Sequence, residues 1–214
     1  KIKWKTKGRI CHRLEDFCYK CPKCGQEFTM KGEGDKITCS QCGNGAMMDD
    51  YYQFHPFEGA VIPASPFDWV EQERMDIIKE IRKNPDYFFE DECQIGNLDE
   101  YKLIGSNKTS FIVGEGKIRI DHQGLHYKGT RNGEPYEFTV DYTKLYTLIT
   151  EVDSSFFNFY LNGEYFDIFP KHQTVGKFSL LVEEMHRYHV NTYKNFKWND
   201  YMYEGMELGI DLKK

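Results

Sequence analysis

The sequence predicts an α+β protein made of two unequal parts. Three observations point there. Two C-x2-C-G units near the N-terminus, Cys21/Cys24 and Cys39/Cys42, have the spacing of a metal clip. A run of helical periodicity lies between Ser65 and Pro85. From about Leu98 the apolar pattern changes to period two, with turn residues between the runs, and ends in one long helical pattern from Val175 to Tyr193.

The chain has 214 residues, enough for one medium domain and a small one. Hydrophobic content of 40% and charged content of 29% are those of a soluble globular chain. Aromatic content of 16%, mostly Tyr and Phe, suits strands. No apolar run approaches the roughly 18 residues needed to span a bilayer, and no secretory leader is visible. Lys1 stands where a Met would open a natural reading frame, so the chain is expected to continue upstream. The net charge of −6 is unevenly spread. Residues 1–48 carry ten Lys/Arg and five Asp/Glu, and the remainder is −11. The basic leader, 1–17, reads as a solvated tail that could also face anionic headgroups or nucleic acid. The acidic remainder argues against a nucleic-acid surface over most of the chain.

Seven cysteines are present, an odd number, with four in paired short spacings. That fits a reducing compartment and a metal site, not a disulfide framework. Zn²⁺ takes four thiolates in a tetrahedron. Two residues between paired cysteines let one tight turn present both sulfurs to one ion, and a Gly after the second Cys admits a left-handed backbone. Cys21, Cys24, Cys39 and Cys42 are therefore the expected zinc ligands, with fourteen residues between the knuckles. Short strands are expected at 27–30 and 36–38, with GEGD (32–35) as the turn. Residues 18–48 then form a zinc ribbon whose metal substitutes for a core too small to fold alone. Cys18 also stands in C-x2-C spacing with Cys21. The symmetric knuckles favour Cys21 as the ligand, and whether Cys18 joins the shell stays open. His12 is a weaker candidate.

Residues 49–92 read as an irregular linker followed by an amphipathic helix. Ser65 is the expected N-cap, Pro66 takes the first helical position, and Pro85 ends the helix. Trp69, Val70, Ile77, Ile78 and Ile81 make its apolar face. Residues 93–194 read as strands at 110–113, 117–120, 124–129, 135–140, 145–152, 156–161 and 164–169, with turns at DHQG, RNGE and NG. A helix follows, its buried stripe expected at Phe178, Leu181, Val182, Met185 and Tyr188. Residues 195–214 are a tail. About seven antiparallel strands capped by one helix suggest a curled sheet or partial barrel, the layout of a pleckstrin-homology-like module.

No catalytic constellation is visible. The chain lacks G-x-S-x-G, H-E-x-x-H and a P-loop. Gly114 and Gly116 precede a strand, so they read as a bend or bulge. Glu183, His186 and His189 share a helix face like half a di-metal site, but no second half exists, and they read as solvated or capping side chains. Asp49 and Asp50 read as solvated, and Cys93 as an ordinary thiol. The predicted loop GSNKTS (105–110) holds no basic cluster for a lipid headgroup.

Several stretches in order, HRLEDFCYKCPKCGQEFTM, TCSQCG, DWVEQERMDIIKEI, GKIRIDHQGLHYKG and FDIFPKHQTVGKFSLLVEEMHRY, cover His12 to Tyr188. Together they resemble the region that follows the catalytic domain in clostridial-type bacterial 1-acyl-sn-glycerol-3-phosphate (lysophospholipid) acyltransferases. That resemblance implies a catalytic H-x4-D, in which His is the general base on the glycerol hydroxyl and Asp orients it. No histidine here fits. Five positions after His12, His122 and His186 stand Phe17, Tyr127 and Asn191. The family's phosphate-gripping block is missing too, since Phe57, Glu58 and Gly59 have no Arg three positions on. No catalytic residue carries over.

The resemblance thus implies a non-catalytic accessory region of a phospholipid-synthesis enzyme. It would be cytoplasmic or peripheral at the inner face of the cell membrane, with the upstream catalytic domain as partner and the membrane surface or another protein as further candidates. The competing readings are a free-standing zinc ribbon that binds a protein or nucleic acid, and an enzyme whose site does not show in the sequence. For nucleic acid, Tyr19 and Phe28 would stack on bases while Lys20, Lys23 and Lys31 pair with phosphates.

Overall fold

The computed structural model describes residues 8–97, 110–151 and 153–190. The chain divides into two units, Lys1–Met75 and Asp76–Lys214. Among the described residues no helix is long and apolar enough to cross a membrane.

The first unit opens with a 3-10 turn, Leu14–Asp16. Four short strands follow: β1 (Met30–Glu33), β2 (Lys36–Cys39), β3 (Gly45–Met48) and β4 (Phe54–Pro56). They form an antiparallel meander in the order β1-β2-β3-β4. The second strand of the first hairpin lies where the sequence places it, but the first starts three residues later than expected. Glu33 pairs with Lys36, so the turn is Gly34 and Asp35, with Gly34 at φ +63. Gly32 belongs to the strand instead. A Cβ there would sit 1.9 Å from the carbonyl oxygen of Cys11, so the glycine admits the N-terminal segment against β1. Residue 27 only bridges Lys20. The linker is also more ordered than expected, because it contains β4.

Helix α1 (Pro66–Lys83) starts where the sequence places it. Ser65 Oγ accepts the Asp68 N–H at 3.2 Å and donates to Asp68 Oδ2 at 2.6 Å, a side-chain cap on the orphan donors of the first turn. The division between the units falls inside this helix. Trp69 joins the core of the first unit with Cys11, Cys18, Met30, Ile37 and Met48.

The second unit is a seven-stranded antiparallel sheet and one helix. Its strands are β5 (Phe88–Asn97), β6 (Phe111–Asp121), β7 (Gly124–Arg131), β8 (Glu134–Val140), β9 (Ile149–Thr150), β10 (Phe157–Leu161) and β11 (Glu164–Pro170). Their order is β8-β7-β6-β5-β11-β10-β9. Two consecutive meanders are thus joined where the first and last strands pair. The hairpins Asn132-Gly133 and Asn162-Gly163 have positive φ at both central residues, which sets their two-residue turns.

The sheet curls on itself. Phe138 on β8 lies 5.8 Å from Phe159 on β10 and 5.3 Å from Phe166 on β11, although these strands are far apart in the pairing order. Arg131 at the end of β7 pairs with Glu164 at the start of β11, and its guanidinium lies over Tyr136 and Phe166.

Strand β5 is central to the sheet, and the sequence reading missed it, reading period two only from about Leu98 and placing the first strand at 110–113. Its alternation is real but carries a carboxylate, Asp91, at an inward position. Strand 145–152 shrinks to Ile149 and Thr150 among the described residues. The expected strand at 110–113 is the start of the longer β6. Beside Gly114 the register with β5 slips between Ile95 and Gly96, so the expected bulge sits one residue away.

Helix α2 (Val175–His189) packs on the sheet through Phe178, 5.0 Å from Phe89 and 5.5 Å from Phe157. Phe178, Leu181, Val182 and Met185 are buried as expected. Tyr188 is not. It is exposed, with the Arg82 guanidinium over its ring and His122 at its edge. The tail and the GSNKTS loop up to residue 109 lie outside the described residues, as do residues 1–7 of the basic leader; residues 8–17 are not a solvated tail, since Cys11, Glu15 and Asp16 are buried.

Candidate metal centre

Each knuckle folds by the same backbone rule. Gly25 N–H donates to Cys21 C=O at 2.8 Å, and Gly43 N–H donates to Cys39 C=O at 2.9 Å. Gly25 and Gly43 sit at φ +74 and +71, the left-handed conformation that closes the turn and that a side chain would resist. Cys21 N–H then reaches Gln26 C=O at 2.9 Å, and Cys39 N–H reaches Asn44 C=O at 2.7 Å. Two such turns face each other across the β1–β2 hairpin.

The four sulfurs converge. Cys21, Cys24, Cys39 and Cys42 place their Sγ atoms within 4.8 Å of one another. Cys21 Sγ and Cys42 Sγ are 3.7 Å apart, and Cys24 Sγ and Cys39 Sγ 3.8 Å. A tetrahedron with metal–sulfur bonds of about 2.3 Å has sulfur–sulfur edges of about 3.8 Å. The residues therefore fit a tetrathiolate metal ion. Four protein ligands leave no open position for a reacting water.

Hydrogen-bond donors surround the sulfurs. Thr29 Oγ1 lies 3.3 Å from Cys39 Sγ, and Asn44 Nδ2 lies 3.7 Å from Cys21 Sγ. Burial works against ionisation of Cys39, but the Thr29 hydroxyl and the N–H groups of Cys42 and Gln41 outweigh it and bring the thiol down to about 6. The Asn44 N–H favours ionisation of Cys42, yet burial and the neighbouring sulfurs push it up to about 12. The neighbouring sulfurs thus raise Cys42, while Cys39 is lowered. A cation among the sulfurs favours their thiolate form.

The other sequence candidates lie elsewhere. Cys18 is fully buried in the core of the first unit, where burial and then Glu73 raise its thiol far above the ordinary range. Cys11 is buried beside it and pushed up to about 11, mainly by desolvation. His12 is exposed and outside the cluster. Burial pushes the Cys93 thiol up to about 12. Asp49 caps its own turn, accepting the N–H groups of Tyr51 and Gln53 and pairing with His55 at 2.9 Å.

The Glu183, His186 and His189 face does not converge on a metal. Glu183 accepts the Thr147 hydroxyl at 3.0 Å. His186 is fully buried rather than solvated, donating Nδ1–H to the Tyr142 carbonyl at 2.6 Å. His189 Nε2 meets His122 Nδ1 at 3.0 Å. The aromatic pair of the nucleic-acid reading is also spent internally. Tyr19 is buried and stacks on Phe28 at 5.4 Å, so it offers no face to a base.

No family model, curated protein or solved structure matches this chain.

Polar contacts the sequence reading missed support the knuckles from outside, one of them from Trp69, which it had placed only on the apolar face of the helix. Asn44, Trp69 and Glu73 are buried polar or aromatic groups bonded to backbone beside the cysteines. Asn44 directly after C-x2-C-G carried a faint signal, as a short amide next to a thiolate turn. Trp69 and Glu73 had none beyond their i, i+4 spacing.

Proposed function

We propose that this chain is a zinc-stabilised, non-catalytic docking region, and that its parent is a glycerophospholipid-synthesis acyltransferase of the 1-acyl-sn-glycerol-3-phosphate type. One observation carries the first part. The four sulfurs lie within 4.8 Å of one another, two of their separations being 3.7 and 3.8 Å, which supports a tetrathiolate ion whose role would be to hold the ribbon together. Four thiolates in paired knuckles suit zinc by ligand softness and geometry. The parent enzyme class rests on the sequence resemblance alone.

A pleckstrin-homology-like second unit agrees with the order of its strands, two meanders joined through first and last strands and followed by one helix. Fold likeness of that kind supports a docking role without naming the ligand. The clefts among the described residues fit the same reading. A shallow cleft of about 270 Å³ is lined by Glu90, Asp91, Glu92, Lys117, Lys171 and His172. Its charges are already paired, Lys171 to Glu92 at 2.5 Å and Lys117 to Glu90 at 3.1 Å.

Metal analysis of the full chain tests the ribbon. One zinc per chain is expected, and cobalt substitution should give the visible spectrum of a tetrahedral tetrathiolate. A folded, unchelated chain with far less than one metal ion overturns it. Co-purification with an acyltransferase domain bearing H-x4-D tests the docking role. A chain that binds no such domain, or that alone transfers acyl groups, overturns that part.

A further inference from the structure

Two residues, Lys20 and Val61, each have both backbone polar groups held by side chains from elsewhere in the first unit. Lys20, immediately before Cys21, donates its backbone N–H to Glu73 Oε1 at 2.7 Å. Its carbonyl accepts the Trp69 Nε1–H at 2.9 Å. Trp69 and Glu73 stand at i and i+4 on α1 and so share one face of the helix. Val61 is held in the same two-sided way. Its N–H donates to Asn44 Oδ1 at 2.8 Å, and its carbonyl accepts Asn44 Nδ2–H at 2.8 Å.

Asn44 follows the second knuckle and is buried, and its Nδ2 also lies 3.7 Å from Cys21 Sγ of the first knuckle. One amide thus touches both knuckles and the linker. Val61 lies in a stretch without strand pairing, so Asn44 supplies backbone partners that no sheet provides.

These contacts require the knuckles to keep their relative position. Four convergent sulfurs hold it while a cation bridges them. Without one, the four sulfurs no longer tie one knuckle to the other. We infer that the metal centre is a latch: its occupancy orders the linker around Val61 and the part of α1 up to Met75. Asn44 and the Trp69–Glu73 pair transmit that order as positioning residues, not as ligands. The inference rests on the metal reading above and adds what the metal controls.

The test is amide hydrogen exchange on the full chain, zinc-loaded and after chelation, with zinc content measured in each sample. Chelation is expected to speed exchange at the Lys20 and Val61 amides by at least about tenfold. The Ile118 and Tyr127 amides of the seven-stranded sheet should stay unchanged. Asn44→Ala should expose the Val61 amide with zinc still bound and Lys20 still protected. Trp69→Phe, which keeps a ring but removes the donor, should loosen Lys20 and spare Val61. If zinc binds and is removed while both amides keep their protection, the latch is wrong and the metal reading stands. A chain that never binds zinc defeats the metal reading and the latch with it.

Discussion

Asp91 offers the sharpest test of how the second unit is built. It sits on the central strand β5 with its side chain 3% exposed, and it accepts three bonds from the segment leading into α2. The Thr174 hydroxyl donates to Oδ2 at 2.8 Å, the His172 N–H donates to Oδ2 at 3.1 Å, and His172 Nδ1 meets Oδ1 at 2.6 Å. Thr174 is the N-cap of α2 but caps nothing with its side chain, because its hydroxyl is turned to Asp91.

Asp91→Ala removes the acceptor for a buried hydroxyl and a backbone amide at once. The His172 side chain is 66% exposed, so its bond adds little after screening. The other two bonds go to a charged acceptor, each worth about 1.5 kcal/mol or more, and both donors are left without a partner. Relief from burying the carboxylate offsets part of this. The expected loss is about 2–4 kcal/mol. Asp91→Asn keeps the shape and one acceptor oxygen and should lose about half as much. Urea unfolding followed at sheet amides isolates this unit, and an unchanged slope would place the effect in the native state. A loss below about 0.5 kcal/mol for Asp91→Ala would show that Asp91 does not tie β5 to α2.

Two further outcomes follow from buried groups. Burial lifts the Glu73 carboxyl to about 9, the Lys20 N–H only partly opposing it, so the folded chain favours the protonated acid. Its contribution is fully present below the unfolded value near 4.5 and declines as pH rises toward 9. Glu73→Gln keeps the acceptor for Lys20 and should flatten that slope, gaining on the order of 2 kcal/mol near pH 8; a parallel stability–pH curve would refute this. Among the four clustered cysteines, Cys42 is the exposed one, whereas Cys11 and Cys93 are buried with raised thiols. Iodoacetamide on the zinc-loaded chain should therefore label Cys42 first and leave Cys11 and Cys93 intact, as read by peptide mass spectrometry; early labelling of Cys93 would contradict its burial.

Local chemistry made part of this protein legible from sequence. The C-x2-C-G pairs specify their own turns, because the glycine's left-handed φ and the sulfur spacing are properties of five consecutive residues. The cap at Ser65 and the two Asn-Gly hairpins are local in the same sense, as is the buried stripe of α2 from Phe178 to Met185. Tertiary structure decided what depends on distant partners. Strand β5 was hidden because Asp91 breaks the apolar alternation, and only the approach of Thr174 and His172 makes a carboxylate tolerable there. Gly32 is a strand residue paired with Ile37, and it is a glycine because the Cys11 carbonyl crowds it, which no turn propensity could reveal. Asn44, Trp69 and Glu73 matter through the backbone of Val61 and Lys20, between 17 and 53 positions away along the chain. Polar groups of that kind are ordinary in sequence and acquire meaning only when folding removes water and leaves a single partner.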